Sequence, residues 1–112
     1  MSSQRVAKVR SSLRKIISEL IQNEVQDPRI GFVTVTRVKL SRDLRHAQVF
    51  VNILGSEKQK KAALKGLKSA VGFIRSHLRD KIRLRYTPEV FFKYDDSLDY
   101  ACHIETLLKK TK

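Results

Sequence analysis

Between Lys58 and Arg85 the chain carries ten lysines or arginines and one acid, Asp80. Lys61, Lys65, Lys68, Arg75 and Arg79 follow at steps of four, three, seven and four. On a helix those steps hold one face, opposite the apolar series Leu64, Leu67, Val71, Ile74 and Leu78. Gly72 belongs to the basic face, four after Lys68 and three before Arg75. A glycine there leaves backbone bare, so a phosphate chain can come close. A helix starting at that point would also aim free N–H groups at it. A solvated charged face with an incidental kink would show the same run of charge. The overall charge of +13 and the coincidence of Gly72 with the stripe favour anion binding. Arg83 and Arg85 continue the basic run.

Two further basic groups can extend this surface. Arg5, Lys8, Arg10, Arg14 and Lys15 crowd the start of a first helix with no acid among them. Positive charge there opposes the helix dipole, a local cost with no structural gain. Arg37, Lys39, Arg42 and Arg45 line a strand and the loop after it. Tyr86 and the phenylalanines are too few and too strand-embedded for a base-stacking platform. The expected readout is therefore RNA shape and phosphate, with little base code.

Other chemistries find no support in the residue pattern. Neither common spacing of a glycine-rich phosphate loop occurs. His46, His77 and His103 lack metal-ligand spacing, and the adjacent Cys102–His103 pair alone is a weak signal. Cys102, the single cysteine, reads as a small buried hydrophobe. Asp95 and Asp96 precede Ser97, where acids serve a helix N-terminus. No metal, cofactor or catalytic group is expected. There is no run of 18 apolar residues and no apolar leader after Met1, so a membrane span and a secretory signal are not expected and the cytoplasm is the default address.

The elements that must position the basic residues follow from periodicity. Val6, Val9, Leu13, Ile16, Ile17, Leu20, Ile21 and Val25 recur at threes and fours, predicting a helix from about Arg5 to Gln26, stopped by Asp27–Pro28. Phe32 to Leu40 reads as a strand in which Phe32, Thr34, Thr36 and Val38 alternate with Val33, Val35, Arg37 and Lys39. A loop over Ser41–Arg45 leads into a second strand from Ala47 to Ile53, a hairpin. Ser56 caps a second helical pattern that runs to about Ile82 and contains Gly66 and Gly72. A break is expected near Ala70–Val71–Gly72. Val90 to Tyr94 is a third strand, parallel to the second because a helical crossover joins them. A last helix is expected over Leu98, Ala101, Ile104, Leu107 and Leu108. The result is a single α+β domain, a three-stranded sheet packed against helices, with short flexible ends at about 1–4 and 109–112. Net charge of +13 predicts a monomer in isolation.

Five blocks stand in order along the chain: Asp27–Pro28–Arg29–Ile30–Gly31–Phe32–Val33–Thr34–Val35–Thr36, Leu40–Ser41–Arg42–Asp43–Leu44–Arg45–His46–Ala47, Ser69–Ala70–Val71–Gly72–Phe73–Ile74–Arg75, Arg83–Leu84–Arg85–Tyr86–Thr87–Pro88–Glu89 and Tyr94–Asp95–Asp96–Ser97. Together they resemble the ribosome-binding factor A family. The resemblance covers about residues 5 to 108. It implies a type-II KH-like fold, ordered α-β-β-α-kink-α-β-α, with an Ala-x-Gly kink at Ala70–Val71–Gly72 in place of a Gly-x-x-Gly loop. It implies a non-enzymatic assembly factor that binds the immature small ribosomal subunit near the 5′ end of its rRNA. Maturation of that end, importance at low temperature and cooperation with assembly GTPases are implied as well. A stable ribosomal component and a precursor-rRNA nuclease are the rival classes. Occupancy of mature translating ribosomes would mark the first, and RNA cleavage the second.

Overall fold

The computed structural model describes residues 3–96. The first helix, α1 (Ser3–Asn23), buries Leu13, Ile17, Leu20 and Ile21, the inner residues of the predicted apolar face. It ends before the predicted limit. Pro28 constrains only the residue before it, and α1 has already closed when the N–H groups of Glu24 and Val25 both donate to the Leu20 carbonyl at 2.9 Å.

Strand β1 (Val33–Leu40) and strand β2 (His46–Ile53) form the hairpin, joined by residues 41–45. The alternation expected of β1 fails at its middle. The register shifts between Val35 and Arg37, so Thr36 is bulged and Val33, Val35 and Val38 all face the core. Without the bulge Val38 would point outward. Asp95 holds it in place. This carboxylate, 6% exposed, accepts the Thr36 hydroxyl at 2.6 Å and lies 3.8 Å from Arg37 Nε. Arg37 in turn covers the Phe50 ring at 4.0 Å, and Phe50 is buried on the sheet's outer side. Asp95 therefore clasps the sheet, a role its place before Ser97 did not suggest. The expected last helix, with Cys102 and His103, lies outside the described residues.

Helix α2 (Glu57–Ser69) starts on a reciprocal capping box. The Gln59 N–H donates to Ser56 Oγ at 3.2 Å, and the Ser56 N–H donates to Gln59 Oε1 at 2.7 Å. Helix α3 (Val71–Lys81) follows after one residue, Ala70, so the break falls where glycine and periodicity place it. Strand β3 (Glu89–Tyr94) pairs with β2 in parallel, giving sheet order β1-β2-β3. Helices α1, α2 and α3 lie on one face. Against them the sheet presents Val33, Val35 and Val38, then Ala47, Val49, Val51 and Ile53, then Val90 and Phe92. Leu67, Ile74 and Leu78 close the core from α2 and α3, each burial stabilising by roughly 1.5–3 kcal/mol.

Gly66 has a packing reason. A Cβ there would stand 2.9 Å from Ile30 Cγ1 and 3.2 Å from Asp27 Oδ2, so α2 can rest on the Asp27–Ile30 turn only without a side chain. Arg29 braces that turn, donating from Nη2 to Asp27 Oδ2 at 2.6 Å and from Nε to Oδ1 at 3.0 Å. The bonds from Arg29 hold the Asp27 carboxyl down to a pKa of about 2.

Candidate nucleic-acid interface

The two ends of the sheet carry different basic surfaces. At one end the α2–α3 kink sits against the C-terminal end of α1. Ala70 is half-buried with φ −87° and ψ −1°, and its N–H donates to the carbonyls of Gly66 and Leu67. No side chain caps the start of α3, which leaves its first N–H groups without the partner a serine or aspartate would supply. Gly72, one residue on, is exposed, and a Cβ built on it meets no heavy atom within 4 Å. Among the described residues, nothing asks for glycine at that position. Around it Lys61, Lys65, Lys68 and Arg79 are all exposed, as the helical steps require.

Arg75 departs from the stripe. It is half-buried, and its guanidinium donates to the Pro88 carbonyl from Nε and to the Thr87 carbonyl from Nη2, each at 3.1 Å. Those two carbonyls belong to the segment entering β3. Arg75 therefore anchors the connection between α3 and β3, and the helical step alone does not reveal it. Two acids flank the kink, and both have partners. Glu24 lies 3.0 Å from His77 Nε2, and Asp27 is held by Arg29. With Phe73 and Ala70 they edge a cavity of about 340 Å³.

The other end gathers the auxiliaries. Arg5, at the start of α1, meets Arg45 of the hairpin loop and Arg85 of the α3–β3 connection around a cavity of about 310 Å³. Beside it, Arg10 and Arg14 face Arg37 and Lys39 across a groove of about 600 Å³ between α1 and β1. Three elements far apart in sequence thus converge, and the unfavourable charge at the start of α1 gains a reason. Lys8, Arg42 and Arg83 are exposed and line neither cavity. The sequence reading missed Tyr86 here. It lies on the connection before β3 and is 49% exposed, with Arg45 over its ring at 4.5 Å and Arg85 at 5.5 Å. Its place between Arg85 and the Thr87–Pro88 turn was the available signal.

Among the described residues no group of three or more histidines, cysteines and acids is placed to hold a metal, and no helix is long and apolar enough to cross a membrane.

The family model described as ribosome-binding factor A matches residues 5–108. The chain belongs to the ribosome-binding factor A family. Curated relatives of that name include one from Natranaerobius thermophilus, 53% identical over 110 residues, covering 98% of this chain and 84% of the relative. Another, from Halothermothrix orenii, is 48% identical over 112 residues, covering 100% and 92%. Among solved structures, the chain is similar to the crystal structure of ribosome-binding factor A from Thermus thermophilus. That match has TM-score 0.71 and 30% identity, covering 79% of this chain and 92% of the other. The solution structure of a Thermotoga maritima protein described as a putative ribosome binding factor A matches with TM-score 0.73 and 36% identity, covering 81% and 87%. A Thermus thermophilus homology model, fitted into a cryo-EM map of a complex of that factor with the 30S subunit, matches with TM-score 0.65 and 29% identity, covering 78% and 91%. The KH-like α+β fold agrees with the resemblance. The family is one of ribosome-binding factors, and it is not enzymatic.

Proposed function

We propose that this protein is an assembly factor that binds the free small ribosomal subunit and its rRNA near the 5′ end, without catalysing a reaction. It assists late maturation and rRNA processing, and matters most at low temperature. It acts in the cytoplasm as a monomer when free, alongside assembly GTPases. The site is the outer face of α2 and α3: Lys61, Lys65 and Lys68 on one side of the kink, Arg79 on the other, and Ala70 and Gly72 between. Arg75 contributes by holding the α3–β3 connection, on which Arg83 and Arg85 sit. Arg5, Lys8, Arg10, Arg37, Arg42 and Arg45 form an auxiliary surface. The observation that carries this reading is Gly72, a helical glycine with open space around it, no capping side chain beside it and four exposed cations along the same face. Phosphate oxygens seek bare N–H groups flanked by lysine and arginine. Family membership supplies the ribosome, and the Thermus relative's fit to a 30S complex supports the small subunit.

The test is sucrose-gradient fractionation of cell lysate, with blotting for the protein. A peak on free small subunits, enriched on immature ones and absent from translating ribosomes, is the expected result. An even spread through translating ribosomes would mark a structural component. Absence from every ribosomal fraction at low salt would refute the assignment.

A further inference from the structure

The cavity at the hairpin end of the sheet has a chemistry that phosphate binding alone does not need. Its arginines come from three elements, Arg5 from α1, Arg45 from the hairpin loop and Arg85 from the α3–β3 connection, and Tyr86 stands among them. Leu44 and Leu84 form an apolar part of the wall, and Asp43, held by Ser41 and the Arg45 N–H, is the one acid in it. A surface that reads only the phosphate backbone gains nothing from leucines and a tyrosine ring, whereas a nucleobase needs both an apolar wall and a flat partner. The volume, about 310 Å³, suits one small ligand rather than a helix of RNA.

The hairpin loop is held in this shape at a cost. Leu44 has φ 62°, in the left-handed region that leucine rarely occupies, and its side chain is nonetheless buried. Asp43 fixes the turn, accepting the Ser41 hydroxyl at 2.6 Å and the Arg45 N–H at 3.1 Å. These bonds, from Ser41 first, keep the Asp43 carboxyl below its usual range. The outcome is a guanidinium stacked on Tyr86 at 4.5 Å. An exposed contact of that kind is weak beside base stacking and an arginine–phosphate bond. An incoming base can take the ring and release the guanidinium to the phosphate.

We propose that this cavity binds one unpaired nucleotide of RNA, its base against Tyr86 and Leu84 and its phosphate on Arg45, Arg85 and Arg5. The adjoining groove, with Arg10, Arg14, Arg37 and Lys39, tracks the phosphates that follow. This rests on the reading that the protein binds RNA, but the pocket is separate from the kink. Helix α3, which runs from the kink towards this end, is 11 residues long and spans about 16 Å at the usual rise. A base inside a duplex cannot reach such a wall, so the pocket selects a bulge, loop or strand end.

The test uses the full chain and an RNA duplex carrying one bulged 2-aminopurine, titrated at about 50 mM salt. Binding should quench the 2-aminopurine. Tyr86→Leu should abolish the quench and weaken the bulged probe about five- to hundredfold. The fully paired duplex should bind the variant and the parent alike, and Tyr86→Phe should keep the quench. Arg85 is exposed, so Arg85→Gln keeps the test open if Tyr86→Leu fails to fold. It should weaken the bulged probe more than the paired duplex. An abasic bulge bound as tightly as the base, or an undiminished quench in Tyr86→Leu, would overturn the pocket while leaving RNA binding intact. Displacement of the probe by an equal concentration of adenosine monophosphate would mark a free-nucleotide pocket and overturn the RNA assignment. Failure of both duplexes to bind would sink the RNA reading itself, and the pocket with it.

Discussion

Gly72→Ala separates what the fold needs from what a partner needs. Gly72 is the second residue of α3, its φ is not in the positive range, and an added Cβ meets nothing within 4 Å among the described residues. The isolated domain should therefore gain from alanine. Glycine costs about 0.8–1 kcal/mol against alanine in a helix interior, and less near a helix start. The less flexible unfolded chain adds to the gain. A stabilisation of about 0.5–1 kcal/mol follows, which raises the melting temperature of a domain this size by roughly 2–8 °C. Binding should move the other way. A methyl group at the point of closest approach displaces at least one charge-assisted N–H to phosphate bond, worth about 1.5 kcal/mol, or about a tenfold loss of affinity. Thermal melts followed by circular dichroism, beside binding isotherms on small-subunit rRNA, read both effects. A higher melt with undiminished affinity would remove Gly72 from the interface. A lower melt would mean that the space around it is not open.

Gly66→Ala should have the opposite sign on stability. Its Cβ lands 2.9 Å from Ile30 Cγ1, and overpacking of roughly 1–3 kcal/mol outweighs the helical gain, so urea should unfold the variant earlier. Arg75→Gln should cost about 1–3 kcal/mol by leaving the Pro88 and Thr87 carbonyls short of a donor. Hydrogen exchange should then quicken in residues 82–88 with little change in α1. Asp27 gives a pH signature. Its folded pKa, about 2, lies below the unfolded 3.8, so its contribution is complete above the unfolded value and disappears as pH falls through the folded one. Urea midpoints measured from about pH 5 to 2 should fall more steeply for the parent than for Asp27→Asn.

Most of the fold was legible because its signals are local. The capping serine, the glycines that mark the kink and the apolar periods of α1, α2 and α3 each report on their own few residues. Apart from the end of α1, which closes locally on the Leu20 carbonyl, the errors share a cause, which is that they depend on contacts made far along the chain. The bulge at Thr36 depends on Asp95, 59 residues later. Two apolar phases in one strand, Val33 and Val35 against Val38, were the trace it left in the sequence. Arg75 obeys the helical step of the basic stripe but is turned inward by carbonyls 12 and 13 residues away. The charges of α1 looked like a local penalty until Arg5, Arg45 and Arg85 met around one cavity. Tyr86 could not be valued before the chain placed two arginines beside it.

The central claim is that the exposed cations beside Gly72 hold this protein on small-subunit RNA. Lys65→Glu, Lys68→Glu and Arg79→Glu combined test it, because all three are exposed and Arg75, which anchors the α3–β3 connection, is left alone. The measurement is co-sedimentation of parent and variant with purified small subunits at about 50 and 200 mM salt. The parent should bind at the lower salt and lose about 10³-fold or more in affinity at the higher, as expected for six to eight phosphate contacts. The variant, with an unchanged melt, should not bind at either. A folded variant that still sediments with the subunit would contradict the account.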